Sequence, residues 1–206
     1  MTLLPEIKTT YSKPAAYILA GGLATRMKSR DKARIVYAGK PLILHVADAL
    51  RWVADEPVAV GKSSYADLGL HTISDIQPNL GPMGGLQAAM AHRKNGWILL
   101  APNDQLGIEE SWLHLLLASR HGQRAVAFRS DYWQTLPALY HCELQNLVDE
   151  MIQNNELSLW RLLQKAGAAQ LETPFGWRKL RDCNSLDCTH RGLPHENSLL
   201  HKSLPL

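Results

Sequence analysis

Short apolar runs that end on glycine or proline alternate along the chain with longer stretches whose apolar residues recur every three to four positions. The first run, Ala15-Ala16-Tyr17-Ile18-Leu19-Ala20, is stopped by Gly21-Gly22, the pattern of a strand buried on both faces. Pro41 opens a helical pattern that reaches Trp52, with Leu42, Val46, Ala49, Leu50 and Val53 on one side. Residues 57–60 and 71–74 read as short strands, 84–92 as a helix of small residues, and 96–101 as a further buried strand ending at Pro102. A helix over 109–119 and a strand over 124–128 follow. The next strand, 136–140, contains Pro137, which points to an edge or a bulge. Residues 144–153 and 158–166 have helical spacing, the second with Ser158 as N-cap, and 168–172 and 177–181 read as the last strands.

Strands alternating with helices predict an α/β fold, a mostly parallel sheet covered on both faces. Ligands of such sheets bind beyond the carboxyl ends of the strands. The loops after the first, third and fourth strands, and after the last, are therefore the places to look for chemistry. No repeat or low-complexity segment divides the 206 residues. They read as a polar lead-in (1–13), one domain (14–190) and a polar C-terminal tail (191–206).

With 46% apolar and 20% charged residues, the composition is that of an ordinary soluble domain. A net charge of +3 suits a small anion such as a triphosphate. It falls short of the dense basic stripe of a nucleic-acid footprint, so no nucleic-acid partner is expected. Cys142, Cys183 and Cys188 form no CxxC pair, which argues against a zinc site or a disulfide framework. The N-terminus lacks the basic and apolar regions of a secretory signal, and no apolar run approaches the roughly 20 residues of a membrane span. The expected location is the cytoplasm, with no membrane partner. The six tryptophans and nine histidines show no ligand spacing and read as partly buried amphipathic side chains.

Four segments carry candidate chemistry. After the first strand, Leu19-Ala20-Gly21-Gly22-Leu23-Ala24-Thr25-Arg26-Met27-Lys28-Ser29-Arg30-Asp31-Lys32 pairs glycines, which let backbone N–H groups approach phosphate oxygens, with cationic Arg26 and Lys32. The spacing is neither a Walker A loop nor the dinucleotide GxGxxG fingerprint. In Asp75-Ile76-Gln77-Pro78-Asn79-Leu80-Gly81-Pro82-Met83-Gly84-Gly85, a carboxylate closes a strand, a Gly-Pro turn follows and a helix begins on two glycines. Ala101-Pro102-Asn103-Asp104 sets a carboxylate at the end of a buried strand. Asp182-Cys183-Asn184-Ser185-Leu186-Asp187 follows the last strand. Each is also compatible with a plain turn or cap.

Taken together, LAGG-x3-RM-x3-DK followed by Gly39-Lys40-Pro41-Leu42 resembles the nucleotide-binding signature of the molybdenum cofactor guanylyltransferases, within the wider class of sugar-phosphate and cytidylyl nucleotidyltransferases. The resemblance spans 17–188. It implies a three-layer α/β/α sandwich with a Rossmann-like sheet of glycosyltransferase-A type. It also implies transfer of GMP from magnesium-bound GTP to the phosphate of molybdopterin, with cofactor-insertion proteins or molybdoenzymes as further partners. By the same resemblance Leu19, Ala20, Gly21, Gly22, Lys32, Asp75, Gly81 and Gly84 line the nucleotide, and Arg26, Lys32 and Asp104 are catalytic. Asp104 matches the aspartate of the family's P-x-D that holds magnesium, with Asn184 and Asp182 as further metal candidates. Pro137-Ala138-Leu139-Tyr140 resembles a late family strand beside the acceptor site.

Several positions depart from the family pattern. Met83 replaces a leucine, Asn103 a small residue, Lys28 a glycine and Asp182 an asparagine, while Leu186 replaces a proline. Gly61 stands where an asparagine often helps hold guanine, which leaves open CTP or a sugar phosphate as substrates. The changes at Lys28 and 182–187 leave open a non-catalytic relative that binds nucleotide or cofactor.

Overall fold

A computed structural model describes residues 13–21, 31–177 and 181–182 of the chain. In chain order its elements are β1 (Ala15–Leu19), β2 (Val36–Tyr37), β3 (Lys40–Pro41), α1 (Leu42–Arg51), β4 (Val58–Val60), β5 (Thr72–Ile73), α2 (Gly81–Arg93) and β6 (Trp97–Pro102). They continue as β7 (Gln105–Leu106), α3 (Glu110–Ala118), β8 (Ala125–Arg129), β9 (Trp133–His141), α4 (Gln145–Gln153), α5 (Leu159–Lys165), β10 (Ala169–Glu172) and β11 (Arg181–Asp182).

The central sheet has the order β10-β8-β9-β6-β1-β4-β5. All its neighbours pair in parallel except β9, which runs antiparallel to both β6 and β8. The uninterrupted apolar runs of β1 and β6 lie at its centre, where Ile18, Leu99 and Leu100 are wholly buried. One face is covered by α1 and α3, through Val46, Leu50, Trp112 and Leu116. The other is covered by α2, α4 and α5, through Met83, Leu86, Val148 and Leu162. This is the expected three-layer α/β/α sandwich.

Four local expectations change. The helix expected over 84–92 begins earlier, at Gly81, and Pro82 lies in its first turn, where a missing N–H costs nothing; Gly81-Pro82 is therefore no separate turn. Pro137 sits in an interior strand, and the bulge alternative is the one realised. Leu139 pairs with Val126 but the next pairs are Gln134 with Phe128 and Trp133 with Arg129, so β9 carries extra residues there. A bulge of that kind takes the proline out of the ladder it cannot donate to. Ser158 holds the N-cap position of α5 without a side-chain cap bond. Of the strand expected over 177–181, Trp177 instead forms a helical turn whose indole packs 5.3 Å from Trp112 and 5.0 Å from Phe128, and Arg181 begins β11. Among the described residues no helix is long and apolar enough to cross a membrane.

Candidate active site

The carboxyl ends of the parallel strands bring distant loops together. Leu19, the last residue of β1, pairs with Val60 on β4 and with Pro102 on β6. The Ala20 amide extends β1 by donating to the Val60 carbonyl at 2.8 Å, and the Gly61 amide donates to the Ile73 carbonyl at 2.9 Å. Gly21, Gly61, Asp75 and Asp104 therefore leave the sheet along one edge.

Backbones approach closely there because side chains are missing. A Cβ on Gly61 would lie 2.8 Å from the Gly21 nitrogen and 3.0 Å from the Ala20 carbonyl carbon, distances that main-chain atoms do not tolerate. A Cβ on Gly21 would sit 3.4 Å from Asp75 Oδ2, which puts that carboxylate beside Gly21. Burial raises the Asp75 carboxyl above its ordinary value, while Lys62 pulls the other way. A carboxylate in this setting can accept from the donors of a ligand. Gly85 packs α2 against the end of β1, its missing Cβ leaving room for the Leu19 side chain, so the first turn of α2 lies at the same edge. The N–H groups of that turn add partial positive charge.

The second part of the edge joins residues 72 positions apart. Lys32 Nζ donates a charge-assisted hydrogen bond to Asp104 Oδ2, with the Asp104 side chain only 13% exposed. Lys32 owes its position to its neighbour Asp31. That carboxylate accepts from the Ala33 amide at 3.0 Å and from the buried Tyr65 hydroxyl at 2.9 and 3.1 Å, capping a short 3-10 turn over Lys32–Arg34. Burial, followed by the bond to Asp31, holds the Tyr65 phenol above its usual range. Arg34 completes the anchor with a bidentate bond to Asp67 at 2.7 and 2.8 Å and with its guanidinium 5.2 Å over the Tyr65 ring. Thus Asp31 and Tyr65 act on this edge through Lys32. Tyr65 carries no motif, and only the bond from this buried residue's hydroxyl to the Asp31 carboxylate reveals it.

Of the candidates from sequence, Leu19, Ala20, Gly21, Asp75, Lys32 and Asp104 gather at this edge. Gly81 is exposed at the start of α2, and Gly84 is buried beneath Leu80. Asp182 belongs to β11, paired opposite Gln105 and so one residue from Asp104 along the partner strand. Gly22, Arg26, Lys28 and Asn184 lie outside the described residues.

Comparison with known proteins matches this architecture. The family model of the MobA-like NTP transferase domain matches residues 16–171. The molybdenum cofactor guanylyltransferase of Serratia proteamaculans is 32% identical over 160 residues, 75% of this chain and 81% of that protein. The protein of the same name from Pseudomonas aeruginosa is 29% identical over 185 residues, 85% of this chain and 93% of its own length. Among solved structures, molybdopterin-guanine dinucleotide biosynthesis protein A from Archaeoglobus fulgidus superposes with a TM-score of 0.64 at 20% identity, over 80% of this chain and 84% of that one. At that identity the likeness speaks for the fold.

Proposed function

Because the chain belongs to the MobA-like NTP transferase family, and is thus a nucleotidyltransferase, we propose that it transfers GMP from magnesium-bound GTP to the terminal phosphate of molybdopterin, giving the guanine dinucleotide and pyrophosphate. The observation that carries this reading is the meeting of the Gly21 bend, Asp75 and the Lys32–Asp104 pair along one sheet edge. The relatives' names supply the substrates. A cytoplasmic location goes with them.

In the proposed reaction a terminal phosphate oxygen of the acceptor attacks the α-phosphorus of GTP, and the bond from that phosphorus to the bridging oxygen breaks. Pyrophosphate leaves with the bonding electrons. The attacking oxygen is already ionised at neutral pH, so the chain has no proton to remove. Its contribution is positioning and charge neutralisation. The Gly21 amide would orient the triphosphate, Asp75 would accept from the nucleoside, and Lys32 and Arg26 would offset phosphate charge.

The donor chemistry suits magnesium. Asp104 offers a hard oxygen ligand that is largely screened from solvent and already paired with a cation. Among the described residues no group of three or more His, Cys, Asp or Glu could hold a metal unaided. Magnesium characteristically takes one or two carboxylates and completes its shell with phosphates and water. Bound with GTP, it would neutralise phosphate charge; Asp104 would hold it, with Asp182 and Asn184 as further candidates.

Gly61 brings no side chain to the stretch beside Asp75, which favours a second reading in which CTP is the donor. A pyrophosphate-release assay across the four ribonucleoside triphosphates, with and without molybdopterin, separates the two. Release that needs both GTP and molybdopterin is expected. Preference for CTP would replace the guanylyl reading, and nucleotide binding without release would make the chain a non-catalytic relative.

A further inference from the structure

At the end of the sheet away from Asp104 the surface opens into a cavity of about 410 Å³. Small-molecule sites occupy roughly 300–1,000 Å³. β6 and β8 both run antiparallel to β9, so they start at the same end, with Trp97 opening β6 and Arg124 just before β8. Trp97 and Arg124 both line the cavity. The five residue steps from Trp97 to Pro102 span about 17 Å at the rise of a strand. The height of the sheet thus separates this cavity from the reaction edge.

A tight turn builds one wall. Past the end of α3 at Ala118 the chain returns toward β8 through residues 120–123, and the Gln123 amide closes the turn on the Arg120 carbonyl at 3.1 Å. Gly122 takes the third place of that turn at φ 67°, a conformation that favours glycine. Arg120 therefore begins the turn and Arg124 follows it, and both border the cavity. The end of β9 builds the other wall. The His141 amide donates to the Arg124 carbonyl at 2.8 Å, and His141 pairs with Trp97 across the ladder, their rings edge to face with centroids 5.0 Å apart.

The charges around this space are one-sided. Arg120, His121, Arg124 and His141 line it with a single carboxylate, Glu143, whose Oε2 lies 3.6 Å from His141 Nδ1. The Arg124 guanidinium is exposed, so a ligand can reach it. Its bond to the Ala166 carbonyl at 3.3 Å steadies the side chain and uses one of five N–H donors. Arg120 is only 8% exposed, so water screens its charge poorly and it adds to the positive potential of the cavity. Planar guanidinium donors match phosphate oxygens, and the half-buried Trp97 and His141 rings give a flat wall beside them.

We propose that this cavity is a second anion site, which binds a small phosphate-bearing molecule away from the reaction edge. Arg124 donates to the phosphate oxygens, Arg120 adds positive charge behind them, and Trp97 with His141 forms the wall against which the rest of the molecule lies. Glu143 opposes the anion and sets an upper limit on its affinity. Neither the donor nor the acceptor of the proposed reaction enters into this assignment.

Isothermal titration calorimetry with inorganic pyrophosphate and with GMP, in magnesium-free buffer, tests it. The titrations use the full chain carrying Lys32→Gln, which weakens phosphate binding at the reaction edge. That protein is expected to keep one site for at least one of the two probes. Adding Arg124→Gln should weaken this site by about tenfold or more, as loss of a charged hydrogen bond does. Adding Glu143→Gln should instead tighten it by about threefold, because the one opposing charge is gone. Neighbouring substitutions with opposite signs are not produced by damage to the fold, and melting curves of both proteins check this. Tighter binding of GMP would make the ligand an organic phosphate ester, and tighter binding of pyrophosphate a free polyphosphate; both support the site. No binding of either probe to the Lys32→Gln protein, or affinities unchanged by both added substitutions, would overturn the inference. Neither result would touch the proposed transfer reaction, which the pyrophosphate-release assay tests separately.

Discussion

Replacing Asp104 with alanine is expected to lower kcat/KM for nucleotidyl transfer by at least about 100-fold, roughly 3 kcal/mol of transition-state stabilisation, the usual loss when a preorganised electrostatic element is removed. Two consequences of one carboxylate combine to make the effect large. Asp104 is the proposed oxygen ligand of the metal, and it also accepts from Lys32 Nζ. Folding should weaken too, because the pair is largely screened, with side chains 24% and 13% exposed, and removing one member of a screened pair costs more than the up to about 1 kcal/mol of an exposed one. For a chain of this size about 1 kcal/mol is roughly 2 to 4 °C in Tm, so a fall of at least that size is expected. Pyrophosphate release and thermal melting, measured on the same preparation, check both halves. Near-normal turnover in a folded Asp104→Ala protein would remove this residue from the metal role.

The second large effect is expected at a position with no side chain at all. Gly61→Ala puts a Cβ 2.8 Å from the Gly21 nitrogen and 3.0 Å from the Ala20 carbonyl carbon. The obstructing atoms are main chain, held by the 2.8 Å bond from Ala20 to Val60, so no rotamer change relieves the contact. The bend at Gly21 must move or β4 must part from β1. Overpacking of this kind typically costs 1–3 kcal/mol, which for this chain is about 2 to 12 °C in Tm. Nucleotide affinity should fall as well, because the displaced segment is the proposed phosphate cradle. Differential scanning fluorimetry with and without GTP measures both. A variant as stable as wild type, with the same stabilisation by GTP, would show that the close approach of the two loops has no functional weight.

Much of the edge was legible because it depends on local signals. An uninterrupted apolar run stopped by two glycines identifies β1, and a second run ending at Pro102 identifies β6. Their parallel pairing then carries Asp104 to the same sheet edge as Gly21 without any further information from sequence. What periodicity lacks is direction and neighbours. Alternation cannot reveal that β9 enters antiparallel between β6 and β8, and Pro137 was compatible with an edge or a bulge, of which the bulge is present. The two-residue strands β2 and β3 are too short to show any period.

The supporting residues were hidden for the same reason. Asp31 was visible as part of a motif, but its bond to Tyr65 spans 34 positions and exists only once β4 and β5 have been laid beside β1. Gly61 could be read only as a side chain lost from a base pocket; its close approach to Gly21 is a property of the folded pair of loops.

The most direct measurement is a crystal structure of the protein with magnesium and a GTP analogue that cannot release pyrophosphate. The triphosphate is expected along the carboxyl edge, its oxygens on the Gly21 bend and Lys32, its nucleoside beside Asp75, and Asp104 turned from Lys32 to the metal. A nucleotide seated elsewhere, or bound here with Asp104 still on Lys32 and no metal against it, would contradict that geometry.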